Sequence, residues 1–128
     1  MVKHIELSKT VDGKTVNNEY PIYFSNYVFA QYEEATGKSL GKLMESLANP
    51  QNMRLNDVYE LAYLSIKAGH KLDKKPFEYD DKELFYMTVL DQDPDWADKV
   101  FSMIEHFFPS PEPEAKEEKK SKPKAAKS

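Results

Sequence analysis

The chain has no cysteine, one arginine (Arg54), one tryptophan (Trp96) and four glycines. Without cysteine there is no disulfide framework, thiol nucleophile or thiolate metal site, so burial and hydrogen bonds must hold the fold, and a reducing cytoplasm suits it. The glycines, Gly13, Gly37, Gly41 and Gly69, are too scattered for a phosphate-binding loop. No apolar run approaches the roughly 20 residues needed to cross a bilayer. The opening "MVKHIELSKT" lacks the apolar middle of a secretory signal, so the expectation is a cytoplasmic protein away from membranes.

What is present fits one soluble domain: 128 residues, 40% hydrophobic and 31% charged. The net charge of -4 divides unevenly. Residues 1–108 carry 12 Lys or Arg against 18 Asp or Glu, giving -6, whereas residues 109–128 carry 6 against 4, giving +2. An acidic body does not attract nucleic acid. The segment 109–128, "PSPEPEAKEEKKSKPKAAKS", has no aromatic or branched aliphatic residue and cannot offset the entropy of ordering, so it is expected to be a disordered tail. There is no internal repeat.

Residues 2–24 read as a β-hairpin. "VKHIELS" alternates, with Lys3, Ile5 and Leu7 on one face, and Asp12-Gly13 suits a tight turn. Pro21 makes the second strand an edge or breaks it. The period then becomes helical. Residues 26–36 follow a Ser25 or Asn26 cap and end at Gly37; residues 39–48, capped by Ser39, place Leu40, Leu43, Met44 and Leu47 on one face. In residues 56–70 the polar side chains gather within about 100° and apolar ones fill roughly 220°, so this helix must be covered on more than one side. Leu64 projects into the polar arc, which means that another helix crosses there or that it is exposed. Asp80 and Glu83 have the spacing of a capping box before an apolar helix over 81–90. Asp93 and Pro94 open the last helix, 94–108, whose Trp96, Val100, Met103 and Phe107 are flanked by Ala97, Phe101, Ile104 and Phe108. The expected fold is mainly α (α+β): a hairpin, a small bundle of about five helices in a single domain over 1–108, and a tail.

Chemistry is sparse. His4, His70 and His106 have no partner at a recognised zinc spacing, and His70 suits a cation near a helix C-terminus. The adjacent pairs Glu33-Glu34 and Asp80-Asp81 diverge and read as solvated charge, and no serine has a nucleophile-elbow setting. We therefore expect no enzyme, catalytic residue, cofactor or metal. Two short helices joined at Gly37 could mimic a helix-turn-helix, but "SLGKLMESLAN" has one Lys, one Glu and no Arg. Eight Tyr, seven Phe and five Met form an apolar surplus that a small domain struggles to conceal, and uncovered patches mark interaction surfaces. The all-round apolar fourth helix and Leu64 place the expected partner-binding surface at Leu64, Phe85, Tyr86 and Val89.

"YPIYFSNYVFAQYEEATGKSL", then "NDVYELAYLSIKAG", then a capped helix and an amphipathic last helix resemble the tail assembly chaperones of long-tailed, siphovirus-type bacteriophages and prophages, over roughly residues 5–108. The resemblance implies binding without turnover: coating the aggregation-prone helices of the tape measure protein, assisting the tail tube protein, and absence from the mature virion. The resemblance also implies a longer frameshifted product, and a homo-oligomer is a separate expectation for this chain. The other readings are a small DNA-binding regulator of a mobile element and a structural head-tail or tail component.

Overall fold

The computed structural model describes residues 2–108, so the tail expected over 109–128 lies outside the described residues. Strands β1 (Lys3–Val11) and β2 (Lys14–Ile22) precede helices α1 (Asn26–Thr36), α2 (Leu40–Ala48), α3 (Leu55–Leu72), α4 (Lys82–Phe85) and α5 (Trp96–Phe107). A 3-10 turn at Pro50–Asn52 joins α2 to α3. The fold class is mainly α with an N-terminal antiparallel hairpin.

The hairpin pairs without a slip from Lys3 opposite Ile22 to Val11 opposite Lys14. Asp12 and Gly13 adopt φ of 52° and 77°, the left-handed pair that a two-residue turn needs to match strand twist. Ile5 and Leu7 are buried from one face. Pro21 does not interrupt β2: in a two-stranded sheet each strand is an edge, the setting where a missing donor is tolerated. The half of the hairpin nearest the helices lies directly on α3. A Cβ built on Gly69 would stand 2.4 Å from both Ile22 N and Pro21 C, so only glycine permits this approach. One turn earlier, the Tyr23 N–H donates to the Ser65 carbonyl at 3.0 Å. The far half, including Val11 and Val16, is exposed.

Helix α3 is the centre of the fold, which explains its thin polar stripe. Leu61, Ala62 and Ile66 are buried, with the hairpin and α1 packed on the helix, and Tyr59 and Tyr63 meet the rings of Tyr86 and Phe85. Burial of each large aliphatic contributes about 1.5–3 kcal/mol. Helix α1 lies beside Leu64, which is half-buried, so the crossing-helix alternative holds. Ser25 caps α1 by accepting from Val28 N–H, Ser39 caps α2 by accepting from Lys42 N–H, and Gly37 closes α1 at φ 73°.

Two local expectations need correction. Asp81, not Asp80, caps α4, accepting the Leu84 N–H at 3.2 Å. The helix then widens over Tyr86–Leu90, where the Asp91 N–H donates five residues back to the Tyr86 carbonyl at 2.8 Å. Helix α5 starts at Trp96 rather than Pro94, after a turn in which Asp93 accepts the Asp95 N–H and also serves distant partners. Its buried carboxylate accepts the Ser8 N–H at 3.0 Å, the Asp95 N–H at 2.8 Å and Lys99 Nζ at 2.5 Å. Lys99 also reaches the Glu6 carbonyl at 3.1 Å, so this knot fastens β1 to α5. Burial pushes the Asp93 carboxyl up, but Lys99 and the two backbone donors outweigh it and hold the group below its ordinary value of 3.8. His70 lies in the last turn of α3, near the helix C-terminus where the sequence placed it, and is buried there. Its Nδ1–H donates to the Ile66 carbonyl at 2.8 Å, since a carbonyl can only accept.

Candidate functional site

The four residues expected to form a partner surface do not share one. Phe85 is 0% exposed and Val89 5%, so both belong to the core. Phe85 is enclosed by the rings of Tyr63, Phe77 and Tyr79, with centroids 5.6, 5.5 and 5.3 Å away. Tyr86 is half-buried and stacks on Tyr59 at 4.6 Å, and Tyr59 stacks in turn on Trp96 at 4.8 Å. Leu64 sits elsewhere, in a shallow hollow of about 150 Å³ with Tyr27, Gln31 and Lys67. The physical reason for the correction is that Phe85 and Val89 lie on the side of the segment that faces the core, while Leu84 and Met87 on its other side are exposed. The connection after α3 supplies Phe77 and Tyr79 as the missing cover.

Part of the apolar excess emerges as a groove between α2 and α5. Leu40 and Met44 are 40% and 43% exposed, one turn apart on the edge of α2, while Leu43 between them points into the core. Across from them stand Phe101 and Phe108 of the last helix and its end, with Phe29 and Ile104 in the floor. Together they line an open groove of about 420 Å³ in which Glu105 is the one charged lining residue. Spacing produces this shape. Leu40, Met44, Leu47 and Ala48 follow at i, i+4, i+7 and i+8, and Ala97, Phe101 and Phe108 at i, i+4 and i+11, so each helix has an apolar arc wider than the face it buries.

The sequence places both sets of residues on apolar faces without separating covered from uncovered positions. The signal that could have separated them is the one applied to α3, arc width. Leu40, Leu43, Met44 and Leu47 cannot all be covered by one neighbour of so short a helix.

Polar pairs away from the groove fasten the elements to one another. Asp57 is buried and paired with Lys38, which ties the α1–α2 junction to the first turn of α3. Burial, helped by the Asp57 charge, pushes the Tyr32 hydroxyl up to about 12. Burial and a hydrogen bond to Asp91 likewise push Tyr59 up to about 12. These are shifts of phenols that keep their protons at neutral pH. Glu60 and Lys82 pair at 2.7 Å beneath an acidic rim of Asp80, Asp81 and Glu83. Among the described residues, no group of three or more His, Asp or Glu could hold a metal ion. No helix among them is long and apolar enough to cross a membrane. No family model matches the chain, and no curated protein or solved structure matches it significantly.

Proposed function

We propose that the chain is a non-enzymatic tail assembly chaperone of a siphovirus-type phage or prophage, which binds and solubilises the tape measure protein and assists tail tube assembly in the host cytoplasm. One observation carries the binding part of this reading: the groove between α2 and α5 exposes Leu40, Met44 and Phe108 around an apolar floor. An uncovered, concave apolar strip formed by two helices is the surface on which an amphipathic helix lays its own stripe. The methionine and leucine side chains of its wall can repack against varied sequences, which suits a protein that must cover a long partner rather than one motif. The sequence resemblance supplies the identity of the partner.

Co-expression tests it. When the downstream gene encodes a long protein with helical heptads, that product should move from the pellet to the soluble fraction in the presence of this chain. A partner that stays insoluble beside well-folded, abundant chain would remove the chaperone reading. Recovery of the chain in purified particles would favour a structural role instead.

A further inference from the structure

We propose that the α2/α5 groove takes a single amphipathic helix whose apolar stripe is flanked by lysine or arginine. This deepens the chaperone reading and rests on it for the source of that helix.

The groove does not end at Phe101. A second hollow of about 450 Å³, lined by Met53, Leu55, Ala97 and Asp98, shares Pro50 and Phe101 with the first. The two make one strip along the outer side of the last helix, from Ala97 to Phe108. At the helical rise this is about 16 Å, or three turns, the reach of a helix laid alongside rather than of a small molecule. Its charge is one-sided. The charged side chains that line either hollow are Asp98 and Glu105, both exposed and acidic, on a body whose residues 1–108 sum to -6. A helix with basic flanks meets complementary charge at both ends of the strip; an acidic one meets repulsion.

Two other occupants are less well matched. A second copy using the same strip would bring Asp98 and Glu105 of each copy toward like charges, in an interface that repeats every contact by symmetry. Residues 109–128 follow directly on Phe108, but they contain no aromatic or branched aliphatic side chain to fill an apolar floor.

The test uses two fluorescently labelled helical peptides of about four turns with the same leucine stripe, one flanked by lysine and one by glutamate, titrated with the full chain. The lysine-flanked peptide should bind at least about tenfold more tightly at low salt, with the gap closing as salt rises. Leu40→Asn with Met44→Asn should abolish binding of both peptides. Asp98→Asn with Glu105→Gln should keep binding but erase the preference. Leu84→Asn with Met87→Asn, which removes exposed apolar groups from the α4 side, should change neither and controls for folding. Equal affinity for the two peptides, undiminished binding by the Leu40/Met44 variant, or a wild-type dimer that the same variant dissociates would each overturn the proposal. Co-expression separates the two levels. If both wild type and the Leu40/Met44 variant solubilise the tape measure partner, the chaperone reading stands and the groove assignment falls. If the wild type fails to do so while the lysine peptide still binds, the groove stands and the chaperone reading falls.

Discussion

The α4 segment and helix α2 are both short, rich in apolar residues and partly exposed, at Leu84 and Met87 on one and Leu40 and Met44 on the other, yet they differ in what covers the rest. The α4 segment keeps Phe85 and Val89 inside, under the aromatic rings of the preceding connection, whereas α2 leaves Leu40 and Met44 in solvent. The difference lies in what the neighbouring chain supplies. Residues 73–81 fold back over α3 and bring Phe77 and Tyr79 onto Phe85, so the inward side of the α4 segment is covered while Leu84 and Met87 on its other side stay exposed. After α2 the chain leaves through the short turn Pro50–Asn52 and goes straight into α3, with nothing left over to cover the outer edge. The amount of apolar surface in a helix is thus a poor guide to exposure; the length and composition of the flanking connection decide it.

The contrast can be broken most severely at Phe85. Phe85→Ala should cost about 3–5 kcal/mol, because three rings lose their common contact and a cavity remains. Denaturant unfolding should show this as a lower midpoint; a loss within about 1 kcal/mol would mean that α4 is not the enclosed partner in the comparison.

A smaller effect is expected at Asp93, where the α4–α5 connection is fastened to β1. Asp93→Asn should cost about 1–3 kcal/mol at neutral pH through weakened charged hydrogen bonds. The folded-state carboxyl lies below its ordinary value of 3.8, so its stabilisation is complete above that value and is lost as pH falls through the folded pKa. The melting temperatures of wild type and variant should therefore differ at pH 7 and converge in acid below pH 3.8. A gap that stays constant into strong acid would show that the carboxylate charge is not what fastens the two elements.

The smallest effect belongs to the groove. Met44→Ser should change stability by no more than about 0.5 kcal/mol, since the side chain is half in water already. The same variant should bind less of an environment-sensitive apolar dye. A large drop in melting temperature would place Met44 inside the core after all and remove the contrast with Phe85.

Much of the local architecture can be read directly from sequence because its causes are local. Asp12-Gly13 dictates the turn, Ser25 and Ser39 bond to donors three residues on, and Gly37 supplies the left-handed closure. Asp93 shows the limit. Its position before Pro94 suits a cap, but the Ser8 N–H that claims its carboxylate is 85 residues away, and no spacing rule connects them. Phe85 and Val89 fail for a related reason. Their pattern is compatible with an open surface or an enclosed one, and Phe77 and Tyr79 decide between the two only once the connection has folded back. The groove residues were visible as apolar positions, but their exposure depends on which arc of α2 its neighbours leave bare.

The contact at Gly69 has a mechanical corollary. With backbone pressed on backbone at Pro21–Ile22 and no side chain between to yield, the ribbon is clamped at its base like a cantilever. Bending of its free tip, near Val11 and Val16, cannot be absorbed at that joint, so a load applied there is handed on as torque to α3 and through it to α1.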